Sequence, residues 1–121
     1  MTKTILTIDD SRTMREMLNH ALVEAGYRVI QAVDGIEGLE VLQAQGADVV
    51  ITDINMPRLD GFGVIEGVRA DPNHRATPIL VLTTESDAAK KERARSAGAT
   101  GWIVKPFNPV KLVDAVRRVA A

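Results

Sequence analysis

The sequence predicts an α/β protein, a (βα)5 chain whose strands form a doubly wound five-stranded parallel sheet with helices on both faces. Two observations carry this. Short β-rich runs alternate with stretches of helical periodicity five times over, and such alternation yields crossover connections and a parallel sheet. One run, Asp48–Thr52 (DVVIT), is nearly continuous in β-branched residues, and a strand without polar alternation is covered on both faces. At 121 residues the chain has the size of one domain and can bury a core without disulfides or a metal. It carries no linker, repeat or low-complexity stretch, so residues 1–121 read as a single domain with no effector domain attached.

The elements follow in order. Thr4–Ile8 (TILTI) is a short strand that ends in Asp9-Asp10. Ser11 can cap the next helix, where Met14, Met17, Leu18, Ala21, Leu22 and Ala25 recur at helical spacing, and Gly26 is its stop signal. Tyr27–Ala32 reads as a second strand and Asp34-Gly35 as a turn. Ile36, Leu39 and Leu42 mark a second helix that ends near Gly46, and Asp48–Thr52 is the third strand, followed at once by Asp53. After a loop, Ile54–Asp60, a third helix runs from about Gly61 to Ala70 with Phe62, Ile65 and Val68 inward, and Asp71-Pro72-Asn73 breaks it. Pro78–Leu82 (PILVL) is the fourth strand. Asp87–Ala97 is helical by composition, with only Ala88, Ala94 and Ala97 as an apolar face. Gly101–Val104 is a fifth strand, and Asn108 can cap a last helix that buries Leu112, Val113, Val116, Val119 and Ala120.

Composition excludes several functions. Fifteen basic against sixteen acidic side chains leave a net charge of −1, without the basic excess of a nucleic-acid binder. Cysteine is absent, which removes disulfides, thiolate metal sites and cysteine nucleophiles, and fits a reducing, cytoplasmic setting. No apolar run approaches the ~18 residues of a membrane span, and the N-terminus leads directly into a strand without a signal peptide. Aromatic residues make up 3% of the chain, so the core must be aliphatic.

The polar residues at the strand ends carry the chemistry. Asp9 and Asp10 follow strand one, Asp53 strand three, Thr83 and Thr84 strand four, and Lys105 strand five. In an open α/β sheet the carboxyl ends of the strands form the ligand crevice, at the point where strand order reverses. Parallel strands put all these ends on one edge, so three carboxylates, one or two hydroxyls and one ammonium should converge. Any one of them could be a turn residue or a helix cap. Adjacent carboxylates such as Asp9-Asp10, however, repel unless a cation compensates. Clustered carboxylates without His or Cys favour a hard divalent ion, and Mg²⁺ binds through one or two carboxylates, waters and a phosphate. A carboxylate can also act as a nucleophile and form an aspartyl-phosphate, while Lys105 and the cation neutralise a transferring phosphoryl group.

Asp9-Asp10, the Asp53-x-x-Met56-Pro57 run with Asp60-Gly61, Thr83, and Lys105-Pro106-Phe107 together make a specific set. With it, the whole chain resembles the receiver domain of two-component response regulators, and is most similar to the single-domain chemotaxis regulators. The resemblance implies strand order 2-1-3-4-5, an order for which receiver proteins serve as a general example. It implies Asp53 as phosphoacceptor, with Mg²⁺ held by Asp10, Asp53 and the backbone carbonyl of Asn55, and with Asp9 acting mostly through a metal-bound water. Thr83 would hydrogen-bond the phosphoryl group and Lys105 would pair with it. Trp102 occupies the aromatic switch position, often Tyr in chemotaxis members. The Lys105–Pro106 peptide is expected to be cis. Asn55 and Glu85, each two residues past a site residue, would tune dephosphorylation.

Three functional readings compete. A phosphoryl-accepting module would take its phosphoryl group from a chemotaxis-type histidine kinase and signal, as a monomer, through a surface that changes on phosphorylation. The expected target is a flagellar motor switch protein, with a shuttle to a histidine phosphotransferase as the alternative. An aspartyl-phosphate hydrolase of the haloacid-dehalogenase type needs a second carboxylate as general acid and base, where this chain has Asn55. A purely structural docking module leaves the strand-end cluster without a purpose. Within the signalling reading, the alanine-faced helix Asp87–Ala97 should be the least firmly held. Lys90, Lys91, Arg93, Lys111 and Arg117 then predict a basic output surface that takes an acidic docking segment.

Overall fold

The computed structural model describes residues 2–121. Five strands, β1 (Thr4–Ile8), β2 (Arg28–Ala32), β3 (Val49–Thr52), β4 (Ile79–Thr83) and β5 (Gly101–Val104), form one sheet in the order β2-β1-β3-β4-β5. All pairings are parallel. Five helices alternate with them: α1 (Arg12–Glu24), α2 (Gly35–Gln45), α3 (Gly61–Ala70), α4 (Ala88–Ala97) and α5 (Pro109–Ala120). Architecture and strand order are as the sequence predicts.

Side-chain alternation along the strands sorts the core into two layers. Leu6 and Ile8 of β1, Val50 of β3, and Ile79 and Val81 of β4 point to one face. There they meet Leu42 of α2, Phe62, Val64, Ile65 and Val68 of α3, and Ala94 of α4. Ile5, Val49, Ile51, Leu80 and Leu82 point to the other face, against Leu18 and Leu22 of α1 and Leu112 and Val116 of α5. Every residue of β3 and of β4 is buried, while the edge strands β2 and β5 are partly open. This is the pattern expected of strands covered on both faces.

Several boundaries differ from those read in the sequence. Asp34-Gly35 is a helix start rather than a turn, because the Asp34 carboxylate accepts from the Glu37 amide at 2.9 Å and caps α2. Tyr27 precedes β2; its amide closes the end of α1 on the Leu22 carbonyl, and Gly26 supplies the left-handed φ of +95° that this reversal needs. Pro78, lacking an amide, stays outside β4, which continues through Thr83. Asp48 lies outside β3, with its carboxylate on the Thr4 amide at 2.7 Å.

Two expected core residues are also solvent-facing. Met17 is 46% exposed and lines, with Val110, Val113 and Arg117, an α1–α5 groove of about 920 Å³. Ala88, in the first turn of α4, is exposed and leaves only Ala94 fully buried on that helix.

Two arginines that periodicity does not reveal tie the helices together. Arg69, near the end of α3, donates to the Gly98 carbonyl at 2.8 and 3.1 Å, and to those of Thr77 and His74 at 2.6 and 3.1 Å. It thereby caps α4 with a cation, and burial holds its guanidinium below the usual arginine range. Gly98 has φ +118°, and its α-carbon lies under the Arg69 side chain, so a Cβ would collide with it. Arg58, in the β3–α3 loop, sits at φ +67°, a conformation that costs a non-glycine residue stability. Its guanidinium makes a bidentate pair with Asp34 at 2.8 and 3.1 Å, which offsets that strain and joins the loop to the cap of α2.

The Arg58 hydrogen bond holds the Asp34 carboxyl below the ordinary carboxylate range. A lowered native pKa contributes stability above the unfolded value near ~3.9, and that stability is lost as pH falls through the native value. Asp34→Asn keeps a capping acceptor but loses the charge. It should therefore melt below the parent at pH 7, and the gap should close as the pH is brought below 4, as followed by circular dichroism.

Candidate functional site

The sheet ladder continues one residue past three strands and thereby builds the site. The Asp9 amide donates to the Ala32 carbonyl at 3.1 Å, that of Asp53 to Ile8 at 3.0 Å, and that of Lys105 to Thr83 at 2.8 Å. Asp9, Asp53 and Lys105 therefore leave the sheet in register at one edge. Because β1 and β3 are neighbours, the two aspartates emerge side by side where strand order reverses.

Lys105 lies between them. Its ammonium donates to Asp9 Oδ2 at 2.8 Å and Asp53 Oδ2 at 2.9 Å, and its side chain is 10% exposed. The other oxygens are also held: Asp9 Oδ1 accepts from the Ser11 amide at 2.9 Å and Asp53 Oδ1 from the Ile54 amide at 2.6 Å. Burial pushes the Asp9 carboxyl up, although the Lys105 hydrogen bond opposes it. For Lys105, burial works against the charge, but the hydrogen bonds to Asp9 and Asp53 outweigh it and raise the ammonium. Lys105 is the one cation paired with the carboxylates themselves among the described residues, which leaves the cluster short of positive charge.

Asp10 completes the cluster. It is exposed, and oxygens of Asp9, Asp10 and Asp53 all lie within 4.8 Å of one another. An all-oxygen donor set with one solvent-facing ligand fits a hard divalent cation that retains water. Gly61 bounds the far side. A Cβ there would stand 2.2 Å from the Asp53 carbonyl oxygen and 2.8 Å from Ile54 Cα, both backbone atoms that cannot move aside.

The remaining residues singled out in the sequence lie around this cluster. Thr83 is fully buried at the end of β4, and its hydroxyl accepts from the Glu85 amide at 3.3 Å. Thr84 is exposed. The Lys105–Pro106 peptide is cis. Asn55 is exposed in the loop after Asp53. The Glu85 carboxylate is paired with Lys90 at the start of α4 and so is turned toward that helix. Trp102 is half-buried against the α2–α4 core layer, and its indole N–H donates to the Glu85 carbonyl at 3.1 Å.

The cations expected on the output surface have different surroundings. Lys90 is neutralised by Glu85, the Arg93 guanidinium lies 4.0 Å over the Phe62 ring, and Arg117 turns into the groove beside α1. Lys91 and Arg95 instead line, with Trp102, a cleft of about 150 Å³ between α4 and β5. Arg15 is the site residue that sequence reasoning missed: its guanidinium donates to the Asp9 carbonyl at 2.7 Å. The available signal was an arginine four residues past a helix cap, since helical side chains lean toward the N-terminus.

The response regulator receiver domain family matches residues 5–117. The chain is 39% identical over 117 residues to chemotaxis protein CheY1 of Helicobacter pylori, covering 95% of this chain and 94% of that protein. It superposes with a TM-score of 0.94 on chemotaxis protein CheY4 of Vibrio cholerae, at 44% identity over 98% of this chain and 99% of that one. The receiver domain of a sensor histidine kinase from Pseudomonas aeruginosa is similar at 28% identity and a TM-score of 0.91, with 99% and 98% covered. That structure has a magnesium ion coordinated in its active site cleft.

The charge imbalance has a thermodynamic consequence. Asp9→Asn keeps the acceptor for the Ser11 amide and leaves Lys105 with Asp53, while removing one of three mutually repelling carboxylates. In EDTA this variant should melt above the parent by about 3 °C or more, the shift given by roughly 1 kcal/mol in a domain of this size. Saturating Mg²⁺ should raise the parent more than the variant in the same scan.

Proposed function

The chain belongs to the response regulator receiver domain family, and from that membership we propose that it is a phosphoryl-accepting signalling protein in which Asp53 is the acceptor. The observation that carries the reading is the Asp9–Lys105–Asp53 constellation at the switch point, open to solvent through Asp10. In the proposed reaction an Asp53 carboxylate oxygen attacks the phosphorus of a phosphohistidine on a kinase. The P–N bond breaks, the imidazole leaves, and an acyl phosphate forms. Asp9, Asp10 and Asp53 would hold Mg²⁺, with the Asn55 carbonyl as a further ligand, and the ion would supply charge neutralisation on the phosphoryl oxygens. Lys105 adds a second cation, and Thr83 keeps a hydroxyl hydrogen to donate.

The kinase is of chemotaxis type in this reading, as the names of the chemotaxis relatives support. The output is a motor switch protein, or a histidine phosphotransferase in the relay alternative. Capture by the phosphorylated protein separates these two. The chain acts as a monomer in the cytoplasm in this reading. No helix among the described residues is long and apolar enough to cross a membrane. In this reading Asn55 and Glu85 set the lifetime of the phosphorylated form, and Glu85 would reach the path of an attacking water only by leaving Lys90, which holds its carboxylate toward α4.

Output runs through Glu85. Its amide sits on the Thr83 hydroxyl and its carbonyl on the Trp102 indole, so one peptide segment joins the site to β5. Movement of Thr83 toward a phosphoryl group pulls that segment and changes the indole bond, shifting α4, which buries only Ala94 fully.

Three measurements test this reading. Acetyl phosphate with Mg²⁺ should add one phosphoryl group to the intact mass, and Asp53→Asn should abolish the gain; an unchanged yield would refute the acceptor assignment. Substituting Asn55 and Glu85 together should change the decay rate of that species and not its formation on Asp53. Beryllofluoride, standing in for the phosphoryl group, should change Trp102 fluorescence and hydrogen exchange in α4. Thr83→Val should suppress both responses, and their persistence in that variant would rule out the Glu85 route.

A further inference from the structure

Asp9 has each polar atom held by a different part of the fold. Its amide is on Ala32, one carboxylate oxygen is on the Ser11 amide, and the other is on Lys105. The fourth atom, its carbonyl oxygen, is held by Arg15 Nη1 at 2.7 Å. Arg15 lies in the second turn of α1, half-buried, and its own amide donates to the Ser11 carbonyl. A cation near a helix N-terminus opposes the helix dipole. The first turn of α1 holds no acidic residue to compensate. The placement works against the helix, so its benefit lies in the contact it makes.

That contact bears on Asp10. The Asp9 carbonyl and the Asp10 amide share one planar peptide, so holding the carbonyl sets the plane from which the Asp10 side chain departs. Asp10 itself is exposed, and among the described residues no ion pair holds its carboxylate. We infer that Arg15 is a positioning residue for the cation site: by fixing the Asp9–Asp10 peptide it holds the Asp10 carboxylate within reach of Asp9 and Asp53. The inference rests on the reading that this cluster takes a divalent cation.

The charge on Arg15 predicts the opposite effect, since a nearby guanidinium repels Mg²⁺, and this makes the proposal decidable. Arg15→Met keeps the aliphatic stem and removes donor and charge. Calorimetry should show Mg²⁺ binding weakened at least tenfold, as expected when a group that orients a metal ligand is lost. Arg15→Lys, which retains charge and a donor, should recover most of that loss. In metal-free protein the Ser11 amide, which reports on the same turn, should exchange faster in Arg15→Met while the global melting temperature stays near that of the parent. Mg²⁺ binding that is unchanged or tighter in Arg15→Met overturns the proposal, as does unaltered Ser11 exchange. If Arg15→Met does not fold, Arg15→Leu, which likewise has neither donor nor charge, gives the same readings. Absence of Mg²⁺ binding by the parent would refute the cation reading instead, and the exchange measurement would still decide the role of Arg15 in the turn.

Discussion

The Lys105 ammonium, wedged between the Asp9 and Asp53 carboxylates, is the contact on which the carboxyl edge of the sheet depends. Two carboxylates on adjacent strands would otherwise face each other across a buried gap. A single buried ion pair gains little over its desolvation, but here one cation serves two anions whose remaining oxygens are satisfied by backbone amides. Nothing in that arrangement is spare. The Asp53 carboxylate and the Lys105 ammonium are brought together by backbone ladder bonds at their own positions.

The sheet makes this precision possible. The central strands β1 and β3 are locked between two apolar layers, so Asp9 and Asp53, one step beyond them, inherit their register, and Lys105 is carried to the same edge by the ladder between β5 and buried β4. On such a frame the loops need little structure of their own. The Gly61 contact with the Asp53 carbonyl and the Arg58–Asp34 pair hold the loop after β3 from two sides. A site assembled from strand ends thus has its geometry decided by core packing some distance away.

Much of this was legible in the sequence because it is periodic or local. Strand and helix order follow from hydrophobic patterning, the caps Ser11 and Asn108 from residue type, and the site from charged residues at strand ends. Asp34 was misread because Asp-Gly signals a turn as strongly as a cap, and only the Glu37 amide decides between them. Arg58 and Arg69 were invisible for another reason: their partners are backbone carbonyls or a residue 24 positions away, and no spacing rule points to them; Arg15 had only its place four residues past the Ser11 cap as a signal. Counting cations along the sequence does not reveal their partners, as the Lys90–Glu85 pair shows.

The carbonyl cage around Arg69 bears on how the protein responds to ionic strength. Its acceptors are dipoles of the main chain, half-shielded from solvent, so mobile ions have little to screen. The start of α4 is held differently, by the Lys90–Glu85 pair at the surface, the kind of contact that added salt weakens. One helix is therefore fastened at its two ends by interactions with opposite sensitivity to electrolyte. Concentrated salt slackens the Glu85 end of the helix and leaves the Gly98 end fixed, so the surrounding medium alone can tilt the balance between them.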